Sequence, residues 1–349
     1  MEGSQALQSG DNATAETKFR QALQIEPHSL ATLNNLAIAL AREGKQDEAI
    51  SFYKQALKVK PHDLQTTRNL AIAYFKAQNY EQAWPLLREL SQRTPDFQTL
   101  DLTGLTLFAL DRYGPSAEYL ERASRLQPSD LTTLDLLGKA YMRAGNYQGA
   151  TDIFARLMAI RPDSAEAHVM MGMAYDKMSR EEEALAEYEA ANRADGHYPG
   201  VHSGLGQIFW KESKLDQAAE EFERELKQYP NDPVSNGLLG DILLKQNEPA
   251  KAQEHYRAAV LANPKYKEAW FGLGKSKLML EQPKEAIEPL QKALALDPDY
   301  IQAHFALGTA YRKLGQSSAA GQEMKTAETI QARQRASYSR KLGAESPNH

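Results

Sequence analysis

The sequence predicts an all-α solenoid of stacked antiparallel helix pairs, and three columns of residues predict it. Gly104, Gly138, Gly172, Gly206, Gly240, Gly274 and Gly308 recur every 34 residues without a slip. A small-residue column runs from Ala15, Ala49 and Ala83 through Ser116 and Ala150 to Ala286 and Ala320, with one interval of 33. A column of large residues accompanies it, including Phe19, Tyr53, Leu120, Phe154, Tyr188, Phe222, Tyr256 and Leu290. Such a period holds two helices of about 12–14 residues and two short turns. One helix pair cannot bury both its faces, so neighbours must stack. The small columns mark where helix backbones come close, and the large residues fill the space between neighbouring units.

The units fall at 1–29, 30–63, 64–96, 97–130, 131–164, 165–198, 199–232, 233–266, 267–300 and 301–330. Prolines close most of them, for example Pro61, Pro95, Pro162 and Pro298, because proline lacks the amide a continuing helix needs. Gly3 sits in the glycine column, so the first unit is truncated. The unit 64–96 carries Pro85 inside its second helix, where a kink is expected. The junction 195–200, with two glycines and a proline, is expected to be a soft point. Residues 331–349 are expected to hold the end of a polar capping helix and a disordered tail from Lys341.

A net charge of −5 lacks the basic excess of a general nucleic-acid binder. The absence of cysteine excludes disulfides, thiolate metal sites and cysteine nucleophiles. No apolar run approaches the roughly 18 residues that span a bilayer, and the N-terminus lacks the apolar segment of a secretory signal. The compartment is not written in the sequence, with cytoplasm the default.

Residues 263–298 can be read in two ways. Ala269, Gly274, Lys275 and Ser276 fit a loose phosphate-loop pattern, which needs a preceding strand and a glycine-rich loop. No strand precedes them, and Gly274 belongs to the glycine column. Trp270, Leu273, Gly274, Ala286, Ala293 and Pro298 instead supply most of the W-x2-L-G-x2-Y…A-x3-F…P signature. On that signature and the columns, residues 1–330 resemble the tetratricopeptide repeat (TPR) family. The resemblance implies a right-handed superhelix of about ten helix pairs whose first helices line a concave groove that binds peptides or partner proteins.

Carried over by phase, that groove is expected to include Asn34, Asn35, Arg68, Asn69, Phe75 and Lys76 near its start. Leu105, Phe108, Asp135, Lys139, Met142 and Arg143 follow, then Met170, Met173 and Lys177. Trp210, Lys211, Phe271 and Lys275 continue the face. Asn35 and Asn69 resemble two rungs of the asparagine ladder that holds an extended peptide backbone. The family's carboxylate clamp would need Lys and Asn one turn apart, and Ile38 occupies the Asn place, which leaves Arg68 beside Asn34 and Asn69. The middle of the groove reads as apolar, with methionine as its adaptable residue.

At the last turn of each first helix stands a basic column: Arg42, Lys76, Arg143, Lys177, Lys211, Lys245 and Lys313, with Ala109 and Met279 as exceptions. The helix dipole favours a cation at each place by about 0.3–1 kcal/mol, and stacking makes the cations a row that suits an acidic or extended partner.

His168, His202 and His304 share the tryptophan column, which points to packing. The other histidines show no carboxylate partner at a meaningful spacing, and no catalytic constellation emerges. Glu225 and Lys277 break their columns and are expected to reach solvent. Asn12-Ala13-Thr14 fits a glycosylation sequon, which means little without a secretory route. The expected function is a non-catalytic scaffold, without cofactor or metal, that binds a protein or peptide. The alternatives are self-association, as a homodimer through the truncated N-terminal edge, and service as the regulatory arm of a larger enzyme or complex.

Overall fold

A computed structural model describes residues 2–344, with side chains through Ala336. The described residues form twenty helices and no strand, in two compact units, 1–178 and 179–349. In the first unit a short α1 (Glu2–Ser9) pairs with α2 (Asn12–Ile25). Then come α3 (Leu30–Arg42) with α4 (Gln46–Val59), α5 (Leu64–Lys76) with α6 (Tyr80–Arg93), and α7 (Phe97–Ala109) with α8 (Tyr113–Leu126). The unit ends with α9 (Leu131–Ala144) against α10 (Tyr147–Ile160), and α11 (Ala165–Lys177). The second unit runs α12 (Glu181–Asp195), α13 (Val201–Lys211), α14 (Leu215–Gln228), α15 (Pro233–Lys245) and α16 (Pro249–Ala262). It closes with α17 (Lys267–Met279), α18 (Pro283–Leu296), α19 (Ile301–Lys313) and α20 (Ser317–Ala344). The division between units falls inside the 165–198 repeat, after its first helix.

The columns are packing partners. A methyl group on Gly138 would come within 2.6 Å of the Phe154 ring, and one on Gly104 within 2.4 Å of Leu120. Each glycine thus faces the large residue sixteen positions later, in the second helix of its own repeat. The large residue also reaches the next repeat: a methyl on Gly272 would lie 2.3 Å from the Tyr256 ring. Turns between paired helices share a left-handed residue at one register position. It is Gly at Gly44, Gly145 and Gly315, but Gln78, Asp111, Ser213, Asn247 and Glu281 take the same conformation.

Helix starts are capped by carboxylates. Asp63, Asp96, Asp130 and Asp232 accept from the backbone N–H three residues on. The tryptophan column serves a related end. Asn236 Nδ2 donates to the Pro230 carbonyl, Trp270 Nε1 to that of Pro264, and His304 Nε2 sits 3.0 Å from that of Pro298. These bonds tie each first helix to the proline that ended the preceding repeat.

Several expectations are corrected. Glu225 is buried, at 3% exposure, and accepts from the N–H groups of Gly200 (2.8 Å) and Ser203 (3.1 Å). It caps α13 in place of the missing local carboxylate. At the 195–200 junction Tyr229 Oη adds a 2.6 Å hydrogen bond to the His197 carbonyl. The Lys277 side chain is 12% exposed and reaches Glu285 at 3.0 Å. His62, expected to lack a carboxylate partner, meets Glu89 at 3.0 Å, while His202 and His304 are buried and meet Glu221 and Glu323, both at 2.6 Å. Pro85 does lie inside the second helix of its repeat, α6, as the register placed it. At the C-terminus α20 extends to Ala344, and the remainder of the expected tail, 345–349, lies outside the described residues.

Candidate protein-interaction site

In the N-terminal unit, equivalent positions on successive first helices come together because their phase repeats. Phe108 of α7, Met142 of α9, and Met170 and Met173 of α11 line one pocket of about 470 Å³. Lys139, Arg143 and Lys177 complete it, with Tyr147 from the first turn of α10. Phe108, Met142 and Met170 pack partly into the core cluster of Leu134, Leu137 and Phe154, while Met173 is 40% exposed.

The electrostatics of the cations differ. Lys139 bridges two first helices, at 2.8 Å from Asp135 and 2.7 Å from Glu166. Burial works against its charge, but the two carboxylates outweigh it and hold the ammonium above the usual lysine range. Arg143 lies 5.7 Å over the Tyr113 ring, which itself meets Phe108 edge-on at 5.2 Å. Arg143 and Lys177 are exposed, and neither makes an ion pair among the described residues. The site is an apolar floor with two uncompensated cations at its rim.

A second pocket, of about 300 Å³, lies earlier in the same unit. Ile38, Ile72, Asn69 and Tyr53 line it, with Arg42 and Lys76 at its edge. Gln46 also lines it, and its buried Oε1 accepts no hydrogen bond from the described residues. Asn35 lies instead in a third concavity, with Lys18, Phe19 and Thr32, so the two expected ladder rungs open into separate hollows.

Other expected site residues are engaged in holding repeats together. Asn34 Nδ2 donates to Thr66 Oγ1 at 2.6 Å. Arg68 makes two hydrogen bonds to Asp96, at 2.6 and 3.3 Å. That guanidinium, ahead of the opposing effect of burial and with help from the Thr99 N–H, holds the Asp96 carboxyl down to about 2. Arg68 is thus paired with the protein's own carboxylate. Asp135 is paired with Lys139, Phe75 stacks edge-on against Tyr80 at 5.4 Å, and Leu105 is half-buried outside these pockets.

In the C-terminal unit, Lys245 Nζ sits 4.0 Å from the Trp210 ring centre, and Phe271 packs on Tyr300 at 5.2 Å. Lys211 and Lys275 are exposed. Between the first helices lies Asp241, whose carboxyl is raised by burial, against the opposing hydrogen bond from Tyr256 and the charges of Lys275 and Lys245. The Gly274-Lys275-Ser276 triplet is helical: Ser276 is buried and its Oγ donates to the Leu273 carbonyl. Tyr147 and Asp241 were not expected from sequence, and Tyr53 was expected only as a packing residue. The recurrence of Tyr80, Tyr113 and Tyr147 at one repeat position was the available signal for the first. Among the described residues, no group of three or more His, Cys, Asp or Glu could hold a metal, and no helix is long and apolar enough to cross a membrane.

TPR family profiles match residues 3–62, 40–101, 102–165, 141–208, 238–301 and 290–322. None of the curated proteins compared matches the chain. Among solved structures, a chain of the APC/C hetero-tetramer Cut9–Hcn1 is 16% identical with a TM-score of 0.56, over 85% of this chain and 58% of that one. This likeness is one of fold, and the chain spans little more than half of that relative. YrrB, described as a TPR protein with an unusual peptide-binding site, is 22% identical over 52% of this chain and 94% of its own, with a TM-score of 0.46. MamA from Desulfovibrio magneticus RS-1 is 25% identical over 49% of this chain and 96% of its own, with a TM-score of 0.43. With profiles covering nearly every repeat and helix pairs stacked in the order the columns dictate, the chain belongs to the tetratricopeptide repeat family.

Proposed function

We propose that this protein is a non-catalytic scaffold that binds a protein or peptide on the first-helix face of its N-terminal unit. The observation that carries this reading is the pocket of Phe108, Met142, Met170 and Met173, rimmed by Arg143 and Lys177. Apolar surface of this kind contributes about 25 cal/mol per Å² when a partner covers it. Methionine adapts to the shape of an apolar side chain. The uncompensated cations favour an acidic segment and speed its approach at low salt. The partner is thus an apolar anchor flanked by carboxylates, in an extended segment.

The test is a peptide-display selection against the full chain, followed by binding of the enriched peptides to the Phe108→Glu/Met170→Glu variant. The expected result is loss of binding with unchanged helical circular dichroism. Peptides that bind the variant as well as the parent would place recognition elsewhere.

A further inference from the structure

The methionine pocket and the Asn69 pocket of the N-terminal unit are the same arrangement built twice. Seven of the eight residues lining the methionine pocket lie 101 positions after a residue lining the Asn69 pocket, three repeats including the 33-residue interval. Arg143 answers to Arg42 and Lys177 to Lys76, so both pockets keep the same pair of cations. The floors differ in kind but stay largely apolar: Ile72 answers to Met173, and Ala41 to Met142. Arg42 donates to the Leu7 carbonyl, and none of the four cations makes an ion pair among the described residues.

The repeats between them do not reproduce the pair. Ala109 occupies the basic column there, so each intervening position keeps one cation at most. In the C-terminal unit, Lys211 and Lys245 take the two cation positions, but Asp241 stands where Ile72 and Met173 stand and sets a carboxylate within reach of the Lys245 charge. The two-cation, apolar-floored site therefore occurs at two places in the N-terminal unit, a fixed distance apart. Packed first helices of successive repeats lie about 10 Å apart, so three steps separate the sites by roughly 30 Å. An extended chain covers that distance in about nine residues at ~3.3 Å each. The Asn69 amide in the earlier pocket can both donate to and accept from a peptide backbone.

We infer that the N-terminal unit is a two-point reader of one extended acidic segment, with two apolar anchors, each flanked by carboxylates, about nine residues apart. This rests on the proposed function of the methionine pocket. Joining two weak contacts through a spacer of matching length raises affinity without any new contact, and the gain is lost when the spacer cannot span the sites.

The test uses synthetic peptides bearing one or two Glu-Leu-Glu blocks in a Gly-Ser background, titrated against the full chain by fluorescence anisotropy. Block separations shorter than, equal to and well beyond about nine residues are compared. The expected result is at least about ten-fold tighter binding of the two-block peptide at the matching separation than of the one-block peptide. The gain should fall at the shorter separation, and either Arg42→Glu/Lys76→Glu or Arg143→Glu/Lys177→Glu should reduce it to the one-block value. Equal affinity for one and two blocks in the unaltered protein overturns the inference. The Arg42→Glu/Lys76→Glu variant isolates the methionine pocket. One-block binding there, without a two-block gain in the parent, overturns the two-point reading alone. No one-block binding there overturns the underlying reading as well.

Discussion

The Glu225 carboxylate, carried by α14, accepts the Gly200 N–H at 2.8 Å and so caps the preceding helix, α13, whose Ser203 N–H it also holds at 3.1 Å. Five other first helices carry their own cap, from Asp63, Asp96, Asp130, Ser164 or Asp232. Gly200, left-handed at φ 87°, has no side chain to offer. Two departures from the repeat pattern, a glycine for an acid and an acid for an alanine, are therefore one compensated change. Glu225→Ala removes two charge-assisted hydrogen bonds and should destabilise α13 by about 2 kcal/mol. Hydrogen exchange at the Ser203 amide measures it, and unchanged protection would show that the cap is dispensable.

Gly138→Ala places a methyl where the Phe154 ring already lies, at 2.6 Å. Overpacking of this kind costs about 1–3 kcal/mol. The double change Gly138→Ala/Phe154→Leu should recover part of that loss. Urea unfolding followed by circular dichroism checks the order: parent, double variant, single variant.

Gln78 occupies the left-handed turn position, at φ 59°, that Gly44 and Gly145 fill elsewhere. A side chain in that conformation is strained by about 1–2 kcal/mol, part of which glycine gives back as chain entropy. Gln78→Gly should raise the melting midpoint, with a net gain of about 0.5–1 kcal/mol. A lowered midpoint would mean that the turn tolerates the side chain at no cost.

The Arg68–Asp96 pair makes stability depend on pH in a defined direction. Asp96 is held at about 2 in the folded protein against an ordinary 3.8, so its contribution is fully present above about pH 4 and disappears as pH falls through about 2. Asp96→Asn keeps the capping geometry for Thr99 and loses the charge. The melting difference between parent and variant should close across that acidic window, and a difference that persists at the acid end would contradict this assignment.

Residue columns made most of the fold legible, because the partner of each of Gly104, Gly138, Gly206, Gly240, Gly274 and Gly308 lies a constant sixteen residues away. Phase likewise put Phe108, Lys139, Met142, Arg143, Met170, Met173 and Lys177 on one long face with many other residues; the structure gathers these seven around one pocket and leaves Leu105 outside it. Phase did not reveal which polar side chains satisfy one another. Arg68 turns to Asp96, 28 residues on, and Asn34 to Thr66, because long side chains choose partners by rotamer and by the adjoining turn rather than by column. Glu225 misled for the opposite reason: a carboxylate in an alanine column reads as exposed until the uncapped helix beside it is seen.

Methionine is a built-in reporter of the proposed interaction face. The most direct measurement is a titration of ¹³C-methyl-methionine-labelled protein with a display-selected peptide, followed by NMR. Recognition at the first-helix face of the N-terminal unit predicts that the Met142, Met170 and Met173 methyl signals shift together, while those of Met279 and Met324 stay in place. Shifts confined to Met279 or Met324, with the three pocket methyls unmoved at saturation, would contradict it.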